Sequence, residues 1–508
     1  MDVNKKFVVL GGGTAGWLTA LYIRQSFPNS SVTVVASSEI GILGAGEGTT
    51  PHFIQLIDEL KIDLKELMAA SKGTFKTGIK FTNWNGDGTH FFHPFRHFFT
   101  KPTNIQNLID ENYPFLSLDS ISRQDNLDQF IPHASMAYNM RVGKKVLDDD
   151  HESCEYSNRN HVALHFDANL LAKFLQSKGL ERNITLHDKI VKNFKTDSDS
   201  YITDLVFDDD TSLACDFLFD CSGFKRFAIS GLYNSPWQDY SPTLPVNKAV
   251  PFFIQNPDGE IPSYTEAIAM KYGWSWKIPV HNRFGCGYVF DSSYITVEQA
   301  IEEIHETFGR DIVIPRSFSF NAGTFKQPWI KNCCAIGLAS GFIEPLEATS
   351  IWVAITSMRT FVKYRNGFIN KDQKSIDNFN DYIVKMNNDI LDFLYFHYDT
   401  KRTDTEFWKN FTDKNKLTDS LESIYTQNKE ILPPDAITRF GKYSWLAVGS
   451  GIKWFDAERA KQKYLSLNKG MKQPLVKSLY KENSKAMAKV NENSSRHREL
   501  LESKIAYK

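Results

Sequence analysis

Lys6-Phe7-Val8-Val9-Leu10-Gly11-Gly12-Gly13-Thr14-Ala15-Gly16-Trp17 stands near the start of the chain and decides its fold. Lys6–Leu10 reads as a buried strand, Thr14–Phe27 as a helix and Ser31–Ala36 as a second strand. That is a βαβ unit with glycines at its first turn. Gly11 permits the tight turn, Gly13 lets a pyrophosphate approach the backbone, and Gly16 lets helix and strand pack. The helix N-terminus, with Thr14 and Ala15, then faces the phosphates. The stretch predicts a Rossmann-type dinucleotide site. The acid that usually ends the second strand is replaced by Ala36, so ribose contacts fall to Ser37 or Glu39 and dinucleotide affinity is expected to be weak.

Further along, Pro51–Leu60 reads as a short helix, and the aromatic-rich alternation of residues 75–100 reads as strands. Residues 101–160 are polar and irregular. Phe166–Leu180 reads as an amphipathic helix, followed by two strand pairs up to Asp220-Cys221-Ser222-Gly223. Strands are expected again over 245–292, and helices over Val297–Phe308, Leu346–Tyr364 and Ser375–Tyr398, with a break at Pro433-Pro434. The expected fold class is α/β (α+β): a Rossmann-type nucleotide fold, a mixed substrate-side sheet and a C-terminal helical region. Residues 1–345 are read as one interlocked module, with the βαβ unit at 5–60 and substrate-side strands at 75–100 and 245–292. Residues 346–468 are read as helices that complete the site, and 469–508 as a charged, solvated helical tail.

Composition narrows the function. The 508 residues are 42% hydrophobic and 13% aromatic, enough for a large core and an aromatic-lined pocket. Net charge is −1 without a basic stripe, which argues against nucleic acid as a partner. The six cysteines show no paired metal spacing, and Cys333-Cys334 lies in an apolar run, as suits a reducing cytosol. The first strand begins by Lys6, which leaves no room for a signal peptide, and no apolar run is long enough to span a bilayer. A cytoplasmic enzyme is expected, with homo-oligomerisation left open.

A second element is Gly273-Trp274-Ser275-Trp276-Lys277-Ile278-Pro279. On a strand, alternate residues share a face, so both indoles can line one cavity wall; an aromatic core strand is the plainer alternative. Four further segments accompany it: Gly44-Ala45-Gly46-Glu47-Gly48-Thr49-Thr50-Pro51, Gly73-Thr74-Phe75-Lys76-Thr77-Gly78, His93-Pro94-Phe95, and the run Ile336-Gly337-Leu338 to Glu344-Pro345-Leu346-Glu347. Singly they are an ordinary glycine turn, a surface lysine, a structural histidine and a helix-start glutamate.

In this order along residues 5–410 they resemble the flavin-dependent halogenases, most closely the tryptophan-halogenase-like branch. The resemblance implies FAD, used as FADH2, with oxygen and a halide ion as co-substrates and hypohalous acid as the product of their reaction. It places Ala45, Gly46, Glu47, Gly337 and Leu338 at the flavin, and Trp274, Trp276, Ile278 and Pro279 between flavin and substrate. It makes Lys76 and Glu347 the catalytic pair, with Lys80 as a weaker claimant for the lysine role. It puts Thr349 and Ser350 at the halide, where the family's Ser-Thr-Gly is replaced by Ala348-Thr349-Ser350. His93, Phe95 and Trp445 fall in the substrate pocket, while Glu344, His165 and His397 read as structural. The long aromatic lid of true tryptophan halogenases shrinks to Phe440–Gly451, so several free indoles or phenols are expected as substrates, with bromide or iodide favoured over chloride. No second nicotinamide-binding unit is visible, so a separate NAD(P)H flavin reductase is expected as partner. A single-component FAD monooxygenase and a non-catalytic flavin-binding protein remain the alternatives.

Overall fold

The computed structural model describes residues 4–41, 47–96, 120–121, 123, 127–154, 156–411, 417–428, 439–466 and 472–507. Ala45, Gly46, the side chain of Glu47 and the Pro433-Pro434 break lie outside them.

A six-stranded sheet carries the nucleotide motif, in the order Trp329–Ile330, Cys333–Ala335, Phe217–Asp220, Lys6–Leu10, Ser31–Ala36, Thr185–Asp188. All neighbours are parallel except the edge strand Trp329–Ile330. Parallel sheets are covered on both faces, so their strands read as continuous apolar runs. Phe7, Val8, Val9, Val34, Val35, Phe217, Leu218 and Phe219 are accordingly all buried. The expected βαβ unit is present, with its helix at Thr14–Ser26.

The substrate-side sheet has seven strands: Phe318–Ser319, Lys248–Gln255, Arg283–Phe290, Gly273–Val280, Thr265–Met270, Gly78–Thr82 and His90–Pro94. Only Thr265–Met270 and Gly78–Thr82 pair in parallel. A third, three-stranded sheet links the two halves. In it Ala163–Phe166 pairs with Glu47–Gly48, where the second glycine loop ends, and with Thr74–Lys76.

The long helix Gln373–Tyr398 joins the cores. Ile376, Phe379 and Ile383 pack with Phe217 and Trp329, whereas Met386, Ile390, Phe393 and Leu394 pack with Trp274, Trp276 and Phe81. Two sequence expectations change in detail. The helix expected from Leu346 starts at Thr349, because Glu347 and Ala348 are left-handed, with φ of 64° and 53°. The expected solvated tail is not solvated at its end. Ser494–Arg496 pairs with Arg141–Gly143, Leu500 and Leu501 enter the main core, and wholly buried His497 accepts a hydrogen bond from Phe75 N at 3.1 Å. Tyr507 O–H donates to Gly73 O and stacks on His281. The end of the chain thus braces the strand that carries Lys76.

Candidate active site

The dinucleotide cradle is built from backbone. Gly11 has φ of 123°, and a Cβ there would stand 2.2 Å from Cys221 O. A Cβ on Gly16 would stand 1.9 Å from Gly11 O, so strand, turn and helix touch through glycines alone. Gly13, the helix N-cap, faces open space and has no side-chain cap. Thr14 Oγ1 is buried without a hydrogen-bond partner. Free amides, open space and an orphaned hydroxyl at one helix N-terminus fit an incoming pyrophosphate. Gly337, at φ of 68°, lies against Ala15, with Leu338 half-buried beside it. At the ribose end, Glu39 is exposed, and the Ser37 hydroxyl accepts from Glu39 N. An acid does stand level with Ala36, one strand over: Asp188 pairs in register with it. Its carboxylate accepts from Ser38 N at 2.9 Å and caps the turn.

Lys76 ends the strand Thr74–Lys76, is wholly buried, and its amine makes no hydrogen bond among the described residues. A Cβ on Gly48 would lie 3.4 Å from the amine, and the Phe95 ring centre is 5.2 Å away. Burial lowers the lysine to about 8, against the opposing pull of Glu347. Its neighbour His165 is buried and pushed well down, first by burial and then by Lys76. Thr74 Oγ1 donates to Pro279 O at 2.7 Å, so it accepts from His165 Nδ1, and Nε2 accepts from Thr265. Lys80, the weaker claimant, differs in setting: it pairs with Glu266 at 3.2 Å and is partly exposed.

Glu347 projects from the left-handed turn, a strained conformation for a residue with a side chain. Its Oε1 receives His93 Nδ1 at 2.8 Å and His397 Nε2 at 3.0 Å. Burial alone would raise this carboxyl; the two histidines overcome it and hold the group far below the usual carboxylate range. Ligands about 2.0–2.1 Å from a tetrahedral ion would stand about 3.3 Å apart, so the shorter spacings here are those of shared protons. The sequence reading takes His397 as structural, because nothing local marks its contact with Glu347 across fifty positions.

The tryptophans share a face as alternation requires, with ring centres 6.3 Å apart. Both are buried, and Trp276 lies over Gly287, where a Cβ would come within 2.1 Å of its ring. Ile278 and Pro279 continue the same buried strand. Trp274 Nε1 faces Glu344 Oε2 at 3.5 Å, and Tyr398 O–H donates to that oxygen at 2.8 Å. Glu344 Oε1 has no partner, and burial pushes this carboxyl up to about 7.

Thr349 is buried and Ser350 half-buried in the first turn of the helix that follows Glu347. Ser350 has ordinary helical geometry, so the missing family glycine costs the backbone nothing there. His93 and Trp445 both meet the Phe393 ring edge-on, at 5.7 and 5.2 Å, while Phe440 stacks on it at 4.0 Å. His93 thus touches Glu347 and shares the Phe393 ring with Trp445, Lys76 lies by Phe95 and feels the Glu347 charge, and Trp274 and Tyr398 meet at Glu344.

The sequence profile of the tryptophan halogenase family matches residues 6–464. Tryptophan 7-halogenase KtzQ of Kutzneria sp. (strain 744) is 31% identical over 433 residues, 80% of this chain and 79% of that protein. Tryptophan 6-halogenase SttH of Streptomyces toxytricini is 31% identical over 451 residues, 84% of each chain. Its crystal structure aligns over 98% of this chain and 100% of its own, at 27% identity and a TM-score of 0.81. BrvH, a flavin-dependent halogenase from Brevundimonas sp. BAL3, aligns over 99% of this chain and 100% of its own, at 26% identity and a TM-score of 0.84. The chain belongs to the tryptophan halogenase family, a family of flavin-dependent halogenases. Among the described residues no helix is long and apolar enough to cross a membrane.

Proposed function

We propose that this halogenase acts on free, electron-rich aromatic small molecules of indole or phenol type, with Lys76 and Glu347 as its catalytic pair. The observation that carries the reading is Lys76 itself. An ammonium buried without a partner costs several kcal/mol, and this one lies between the flavin-loop residue Gly48 and the aromatic Phe95. Such a group is held for a ligand.

The glycines at 11, 13 and 16 would hold the pyrophosphate of FAD, with the flavin ring toward Gly48 and Gly337. Bound as FADH2, the flavin supplies with oxygen the two-electron oxidation of halide to hypohalous acid; a separate NAD(P)H flavin reductase supplies the reduced flavin. Thr349 and Ser350 hold the halide at a helix N-terminus. Trp274 and Trp276 keep the organic substrate on its own side while hypohalous acid passes. The Lys76 ammonium donates a hydrogen bond to the hypohalous oxygen, which makes the halogen more electrophilic. His93, Phe95 and Trp445 position the ring. Halogen passes to the ring carbon, and hydroxide leaves and takes up the displaced ring proton as water. Ionised Glu347 offsets the positive charge on the ring in between.

The test mixes protein, FAD, an unrelated flavin reductase, NADH and bromide with a panel of indoles and phenols, read by mass. Brominated products from several substrates, with bromide matching or exceeding chloride in competition, are expected. A hydroxylated product formed without the reductase would instead mark a single-component monooxygenase. No product would mark a non-catalytic flavoprotein, and strict use of chloride on tryptophan alone would overturn the substrate reading.

A further inference from the structure

His397 lies near the end of the long helix, wholly buried. Its Nδ1 is 2.7 Å from the Phe393 carbonyl oxygen and its Nε2 is 3.0 Å from Glu347 Oε1. A carbonyl oxygen only accepts, so Nδ1 carries a proton. A neutral ring then has none left for Nε2. The contact with Glu347 therefore needs one proton more, on the ring or on the carboxyl. His93 Nδ1 reaches the same Oε1 at 2.8 Å. A single carboxyl O–H can serve one ring but not both, so at least one ring donates to Oε1 in any case. With Glu347 ionised, every contact is satisfied when His397 carries both protons and His93 donates from Nδ1, and the cluster is then neutral overall, as its burial demands.

We propose that His397 is the positioning residue of Glu347. It holds the proton that keeps this buried carboxylate ionised, and its own bond to Phe393 fixes the carboxylate's direction. The negative charge is thus in place before an aromatic ring becomes positive under electrophilic attack. The role rests on the reading of Glu347 given above. The groups around His397 are Glu347 from the left-handed turn, His93 from the edge strand and the Phe81 and Phe393 rings. Lys76 acts on Glu347 from its own strand.

Two measurements test the role. Nitrogen-15 NMR of the histidine side chains at neutral pH should show one buried imidazole protonated on both nitrogens, and that signature should vanish in H397Q and in E347Q. This readout needs no turnover. In the bromination assay, H397Q keeps a side-chain N–H donor but loses the charge. It should lose about 10–100-fold in kcat, the scale on which orienting partners act, with FAD binding retained. It should also gain an acid limb absent from the wild type, because burial would then push Glu347 up unopposed by His397. A His397 Nε2 without a proton in the wild type overturns the proposal, as does an H397Q enzyme with wild-type kcat and pH profile. If the wild type halogenates nothing on the panel while the NMR signature is present, the reaction assigned above fails and the protonated pair stands.

Discussion

The dinucleotide side and the reaction side of this site are built by different means. On the first, the proposed cradle is backbone: Gly11, Gly13 and Gly16 bring strand, turn and helix together, and at this turn, among the described residues, Thr14 offers an unpaired side-chain group. On the second, the groups proposed to act are side chains, charged or titratable and taken out of water: Lys76, Glu344, Glu347, His93 and His397 are each at most 4% exposed. A backbone cradle stores its strain in conformation, at residues with no side chain to clash. The reaction side stores it in electrostatics, where it is present only at pH values that charge the groups. The two sides should therefore respond oppositely to substitution: filling the cradle destabilises, while neutralising the buried groups whose charge opposes folding, Lys76 and Glu344, stabilises.

The largest effect is expected at Lys76. Lowering a lysine from 10.5 to about 8 amounts to about 3 kcal/mol held against folding while the amine is charged. The folded-state value lies below the unfolded one, so between about pH 8 and 10.5 the unfolded chain binds the extra proton. Stability from this group accordingly rises with pH across that window. Lys76→Met should abolish halogenation, retain FAD binding and raise the melting temperature at pH 7, with the gain shrinking by pH 10. Scanning calorimetry at both pH values checks this, and a variant less stable than wild type at pH 7 would break the contrast. Wild-type turnover should also fall above about pH 8 as the ammonium donor is lost.

Glu347→Gln comes next. It keeps size and removes charge, and turnover should drop by about two to three orders of magnitude, the scale of losing a group that stabilises transition-state charge. A loss below about threefold in single-turnover bromination would leave Glu347 only a structural part of its turn. On the other side of the comparison, Gly11→Ala should cost stability outright, since its Cβ would meet Cys221 O at 2.2 Å and its φ is 123°. FAD binding should weaken further from an already weak wild-type value, because Asp188, the acid that pairs in register with Ala36, is engaged by Ser38. Equilibrium dialysis that gave a nanomolar constant for the wild type would contradict that account.

The contrast also explains what sequence could and could not reveal. The cradle follows from neighbouring residues, so strand, glycine spacing and helix could be read in place from Lys6 to Ala36. The tryptophan pair was legible for the same reason: a period of two puts Trp274 and Trp276 on one face. Lys76 stood out through its surrounding segment, but its lack of a partner is a property of packing. His397 and Glu347 are fifty positions apart, His497 and Phe75 more than four hundred; no local pattern encodes either contact. The left-handed turn at Glu347-Ala348 was hidden too, since neither residue type favours it. Fold propensity was readable, whereas the electrostatic state of the pocket depends on which distant groups converge.

Glu344 gives the smallest effect and the sharpest form of the contrast, because it lies three residues from Glu347 and is equally buried. Glu347 meets two histidines and stays ionised. Among the described residues Glu344 meets only the neutral donors Trp274 N–H and Tyr398 O–H, and burial pushes it up to about 7. Here the folded-state value lies above the unfolded one, 4.5, so the contribution to stability is full below about pH 4.5 and lost as pH rises through about 7. Glu344→Gln should be nearly neutral in stability at pH 4.5 and stabilising at pH 8, the reverse of the trend expected for Lys76→Met. Its effect on kcat should be a few-fold at most. Because the carboxyl faces the Trp274 indole, tryptophan fluorescence of the wild type should also titrate near pH 7, and that step should be missing in Glu344→Gln. A stability gain independent of pH, together with an unchanged fluorescence titration, would mean that Glu344 is not the group that titrates beside the tryptophan wall.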